Sequence, residues 1–152
     1  MGRIDERLRD LGITLPPTPV PLANYVPAKR VGSLVYVSGQ PSGTQDQAIT
    51  GQLGTECTVA DGQAATRLSL LNCLAAMLTV IDSLDQVVQL VRIDGLLNSA
   101  PGFNEQSAVM NGASDLAVEI FGEAGRHARS GAGVVGLPNN FTASVYILAE
   151  VG

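Results

Sequence analysis

"DGQAATRLSLLNCLAAMLTVIDSLDQVVQLVRIDGLL", residues 61–97, changes its hydrophobic period once, and that change decides the fold. From Asp61 to about Leu84, Ala64, Leu68, Leu71, Ala75 and Leu78 recur every three or four residues, which is the spacing of one helix face. A second stripe, Leu70, Leu74, Met77 and Ile81, widens the apolar arc, so the predicted helix packs on a sheet and is covered on other sides too. Asp61 stands where a capping residue would start it. Over 86–97, "QVVQLVRIDGLL" becomes rich in β-branched residues and reads as a strand.

Working outward, Val109, Ala113, Leu116, Ala117, Ile120 and Phe121 restore helical spacing and predict a second major helix that ends near Gly122. The last segment, "ASVYILAEV" (143–151), alternates Ala143, Val145, Ile147, Ala149 and Val151 with Ser144, Tyr146 and Glu150, the pattern of a half-buried strand. Upstream, "LVYVSGQ" (34–40) reads as a short strand buried on both faces, and "AITGQLG" (48–54) as its hairpin partner or a β-arm. Ile4, Leu8 and Leu11 predict a short amphipathic helix over 3–11, which the prolines of "PPTPVP" (16–21) end. The order strand, strand, helix, strand, helix, strand predicts an α+β fold with two helices on one face of a mixed sheet. Residues 1–152 are expected to form a single domain, with 1–20 as leading helix and connector.

Composition limits the function classes. The chain is 45% hydrophobic and 15% charged and lacks Trp, more apolar than a small monomer hides easily, so part of its surface is expected to meet another subunit. The net charge of −5 repels phosphate backbones and argues against nucleic-acid binding. Two cysteines without CxxC spacing and a single histidine cannot assemble the usual zinc sets. With mixed charges at the start of the chain and no run of 18 apolar residues, a cytoplasmic location and no membrane are expected.

Candidate chemistry is sparse. In "HARSGAGVVGLP" (127–138), Arg129 lies among Ser, Gly and Ala. Two readings stand side by side: an ion pair with Asp115, Glu119 or Glu123 of the preceding helix, or a fork holding a small carboxylate that Gly131 and Gly133 let the backbone approach closely. His127 would need an orienting partner to act as a base, and its spacing supplies none, so a surface or capping role is expected. Cys73, in mid-helix, reads as a buried inert thiol, and Cys57 as a loop thiol open to solvent.

"NYVPAKRVGSLVYVSGQ" (24–40), "SLDQVVQLVRI" (83–93) and "ARSGAGVVGLP" (128–138), in that order, resemble the Rid/YjgF family of reactive intermediate deaminases, also called endoribonuclease L-PSP-like or translation-inhibitor-like proteins. The resemblance spans residues 20–151, and "VMNGASDLAVEIFGEAGRHARSGAGVVGLP" is similar to the longer-chain branch with an N-terminal helix. It implies a chorismate-mutase-like fold over 21–152, a homotrimer with clefts between subunits, and hydrolysis of 2-imino acids to 2-keto acids and ammonia without metal or organic cofactor. The carboxylate-clasping arginine of the family falls on Arg129, its cleft tyrosine on Tyr25, its strand-end serine and glycine on Ser38 and Gly39, and its helix asparagine on Asn111. Two positions depart from the pattern. Gly131 stands where cysteine is common, and Ser144 stands where the family glutamate positions the attacking water. A serine hydroxyl can hold a water but is a poor proton acceptor at neutral pH. Two further readings therefore accompany the deaminase: a non-catalytic trimer that binds small carboxylates, and RNA cleavage, which the acidic charge and the 4% aromatic content oppose.

Overall fold

A capping box starts the longest helix. The computed structural model describes residues 2–152; Met1 lies outside it. Thr58 accepts the Asp61 backbone N–H at 3.2 Å while the Asp61 carboxylate accepts that of Thr58 at 2.9 Å. Helix α2, Val59–Met77, therefore begins two residues before Asp61, which is its third residue rather than its cap. The two backbone and side-chain bonds from Thr58 hold the Asp61 carboxyl below its ordinary 3.8. A depressed acid stabilises the fold above its unfolded value, so this contribution is present above 3.8 and fades as the pH falls through the lower folded value. Thr58→Ala is expected to cost about 1 kcal/mol, read as a lower thermal midpoint. The stability difference between wild type and Asp61→Asn is expected to shrink as the pH is lowered past 3.8.

The helix also ends before Leu84. Ser83 and Gln86 compete for the backbone: Gln86 Oε1 accepts the Asp82 N–H at 2.7 Å, and Ser83 Oγ accepts the Asp85 N–H at 3.1 Å and starts a 3-10 turn, Leu84–Gln86. Ile81 and Leu84 are buried without being in α2, which is why the apolar spacing ran past the true end.

The mixed sheet is centred on strand β6 (Ala143–Val151): β2 (Leu34–Val37) and then β1 (Ala28–Val31) lie on one side of it, β4 (Val87–Asn98) and then the edge strand β5 (Ala128–Val134) on the other, and the short β3 (Gln40–Pro41) also pairs β6. β6, Ala143–Val151, runs antiparallel to β4, and its alternation matches the sequence: odd positions are buried and even ones are not. α3, Gln106–Phe121, packs beside α2 and stops at Gly122, whose φ of 62° suits glycine. α1, Arg3–Asp10, buries Ile4 and Leu8; Ile4 N–H donates to the Asp85 carboxylate at 2.9 Å. No described helix is long and apolar enough to cross a membrane.

Three readings of the sequence are corrected. The segment 34–40 is two strands, β2 (Leu34–Val37) and β3 (Gln40–Pro41), and it is not buried on both faces: the helices cover one side only and leave Tyr36 50% exposed. Its hairpin partner is β1, Ala28–Val31, joined through Gly32 at φ 60°, whereas 48–54 forms only isolated bridges. Finally, residues 128–134, to which the predicted order assigns no element, are extended. They form β5, Ala128–Val134, which pairs parallel with β4 from Arg92↔Ala128 to Asn98↔Val134. Its small residues let α3 approach: a side chain at Gly131 would meet Met110 Cγ at 2.6 Å, and one at Gly133 would meet Gln106 Nε2 at 2.8 Å.

Candidate functional site

Strand alternation turns Arg129 toward the helix layer, on the same side as Gly131. There it meets a polar stripe of α3, Ser107, Asn111 and Ser114, spaced i, i+4 and i+7 along one face. Nη1 donates to Asn111 Oδ1 at 2.8 Å and to Ser114 Oγ at 3.3 Å; Nη2 donates to Ser107 Oγ at 2.8 Å and to its backbone oxygen at 3.3 Å. All these acceptors are neutral. Glu119 pairs with Arg67 and Glu123 with Arg126, and among the described residues no carboxylate pairs with Arg129. The guanidinium thus keeps its full charge in a half-buried position, and its Nε–H has no partner among the described residues.

His127, the residue before β5, is oriented after all. Its Nδ1 lies 2.6 Å from the Gly125 carbonyl oxygen, which can only accept, so Nδ1 carries the hydrogen. In the neutral ring Nε2 is then an acceptor, and it lies 2.9 Å from Ser114 Oγ, the same oxygen that accepts from Arg129. Ser114 can donate to one neighbour and accept from the other at once. Gly125 makes this turn possible, because a side chain there would run into the backbone of Ala117. The chain Arg129, Ser114, His127 was invisible in the spacing between His127 and Arg129; the polar stripe on α3 was the available signal.

The other candidate residues lie elsewhere. Tyr25, Gly39 and Ser144 line a groove of about 450 Å³ between the proline-rich connector and the 137–141 turn. Ser38 Oγ donates to the Val26 carbonyl at 2.7 Å and ties the connector to the sheet. Gly39 stays small for a reason: a side chain there would come within 2.9 Å of Ser144 Oγ. Ser144 pairs with Leu96, which pairs with Ala132, so it sits three rows from Arg129, and it lies between the buried Ala143 and Val145 on the opposite face of the sheet. Of the seven candidates, Arg129 and Asn111 touch, Gly131 adjoins them, and the remaining four form a separate group.

Both cysteines are buried. Cys73 Sγ donates to the Val145 carbonyl at 3.1 Å, and burial pushes its thiol well above the ordinary value. Cys57 is not open to solvent as its loop position suggested, but donates to the Thr50 carbonyl at 3.2 Å.

The chain is similar to proteins already known. TCP17 of Trypanosoma cruzi is 43% identical over 152 residues, which cover 99% of this chain and 95% of that protein. The solved structure of a putative endoribonuclease from Shewanella oneidensis superposes with a TM-score of 0.94 at 38% identity, over 99% of this chain and 100% of the other. Atu1372 of Agrobacterium tumefaciens, described as having unknown function, is 38% identical with a TM-score of 0.89, covering 98% and 94% of the two chains. A family model matches residues 5–151. The chain therefore belongs to the YjgF/chorismate-mutase-like, putative endoribonuclease family, as its motifs and its α+β architecture indicate.

Proposed function

We propose that this protein grips small 2-imino acids by their carboxylate on Arg129 and hydrolyses them to 2-keto acids and ammonia, in clefts shared by the subunits of a homotrimer and without a cofactor. The observation that carries this reading is the guanidinium held beside α3 with no carboxylate partner among the described residues. A ligand carboxylate would replace the neutral oxygens of Ser107 and Asn111 with charged, two-pronged bonds, each contributing about 1.5–3 kcal/mol. The glycines around Arg129 would let backbone groups near Gly131 steer the C=N bond while water attacks its carbon.

The same geometry supports an assembly of subunits. Arg129 and the group of Tyr25, Ser38, Gly39 and Ser144 are separated by the sheet within one protomer, so a cleft holding both would need residues from two protomers. The helix-free face of the sheet offers the surface for such contact, with Val31, Tyr36 and Tyr146 exposed by 60%, 50% and 39%. A second reading, a non-catalytic trimer that binds small carboxylates, is favoured by Ser144, which supplies no carboxylate base.

Ammonia release from 2-iminopropanoate generated in situ separates the two. The deaminase accelerates release over buffer, and light scattering gives a mass three times that of the chain. Pyruvate binding by calorimetry without any acceleration would establish the binder instead. Cleavage of RNA, if seen, is expected to persist in Arg129→Ala and to follow a contaminant on chromatography.

A further inference from the structure

With serine at position 144, the proton of the attacking water has no carboxylate to receive it at that position of β6. The imidazole of His127 stands on the other side of Arg129 instead. Ser114, Asp115, Val118, Arg126, His127 and Arg129 border a cavity of about 270 Å³. Into it the strand contributes the cation, α3 contributes a hydroxyl bonded to that cation, and the turn before β5 contributes a ring whose far nitrogen is fixed by a backbone carbonyl. An ordered partner on Nδ1 and an Nε2 lone pair aimed at the hydroxyl that gives up the proton are what a base requires.

We propose that His127, acting through Ser114, is the proton acceptor of the Arg129 site. The inference rests on the imine-hydrolysis reading above. As the water oxygen bonds to the imine carbon, the C=N electron pair moves to nitrogen; a water proton passes to Ser114 Oγ as the Ser114 proton passes to His127 Nε2. The same route returns that proton to the nitrogen. The carbinolamine hydroxyl proton then follows it as the C–N bond breaks, so that C=O forms, ammonia leaves, and both side chains regain their starting state. His127 acts on the reacting atoms through Ser114 and does not touch them.

The charged groups around the ring set the sign of its pH response. Arg126 and Arg129 border the cavity and oppose an imidazolium, and Asp115 on α3 favours one. Glu123 is engaged by Arg126, and Glu119, one turn further along α3, by Arg67. An anion arriving on Arg129 adds negative charge beside the ring. Carboxylate binding and ring protonation therefore assist each other, by reciprocal linkage.

His127 is the one histidine of the chain, so its ring resonances give a single-residue titration by NMR. Saturating pyruvate is expected to move that titration to higher pH in wild type and to leave it unmoved in Arg129→Ala. In turnover, kcat is expected to fall on the acid side as the ring takes up a proton. His127→Gln should lower kcat by about 10²-fold or more, change KM little, and remove that acid limb. Ser114→Ala should lower kcat while the ring still titrates, and Ser114→Thr should restore most of the rate. Turnover by wild type with unchanged kcat and pH profile in His127→Gln overturns the inference and leaves the deaminase standing. Pyruvate binding without any turnover in wild type overturns both.

Discussion

Replacing Gly112 by alanine is expected to cost about 3 kcal/mol of folding stability, the upper part of the usual range for overpacking. Alanine in a helix interior is ordinarily about 1 kcal/mol better than glycine, so the sign of this effect is a test of packing. Here α2 and α3 cross with nothing but hydrogen between them. A Cβ at Gly112 would collide with the Gln63 backbone oxygen and lie 2.5 Å from Thr66 Oγ. Neither obstacle can swing aside easily, because the first is backbone and the second donates to the Val109 carbonyl at 2.9 Å. Gln63 Nε2 bonds the Ala108 carbonyl at 2.9 Å and fixes the same crossing. The helices must separate, and the thermal midpoint is expected to drop by roughly 6–12 °C, measured by calorimetry. Gly136→Ala is the control: nothing lies within 4 Å of its added carbon, and its midpoint should match wild type. An equal midpoint for Gly112→Ala would show that the two helices are not this close.

Arg129→Ala is expected to weaken binding of pyruvate by about a hundredfold or more. Two bonds from a charged donor contribute at least about 1.5 kcal/mol each, and about 1.4 kcal/mol is tenfold in affinity. Arg129→Lys keeps the charge but loses the planar fork, so its affinity should fall between the two. Ser107, Asn111 and Ser114 are left without their donor in Arg129→Ala. They are half-buried or exposed and can turn to water, so the variant should stay folded. Affinity that survives in Arg129→Ala would mean that the carboxylate is held elsewhere, with the groove of Tyr25 and Ser144 as the place to look.

The elements that could be read in advance are those with a buried face. α2, α3, β4 and β6 carry their periodicity because each lays one side, or nearly all of itself, against the core. β1 buries Ala28 alone of its four residues and so leaves no pattern to read. β5 has a composition that argues against a strand; it forms because the free edge of β4 offers backbone groups that need partners. Asn111 was named from family motifs and stands 2.8 Å from Arg129. Ser107 lies outside every motif read in the sequence, Ser114 and His127 lie within one but were given no role at the site, and only the placement of α3 against β5 brings them to the guanidinium.

Family membership, the helices α2 and α3 with the strands β4 and β6, and the presence of an arginine among glycines are properties of the chain written in one dimension. Whether that arginine is free to meet a ligand is not. Asp115, Glu119 and Glu123 are nearer to Arg129 in sequence than Ser107, Asn111 and Ser114 are, and either set could have faced β5. Packing of α3 against α2 at Gly112 and against β5 at Gly131 fixes the rotation of the helix. That rotation turns the neutral stripe toward Arg129, while Glu119 and Glu123 pair with Arg67 and Arg126. The charge on Arg129 stays uncommitted because of a helix rotation that depends on contacts between residues far apart in the chain.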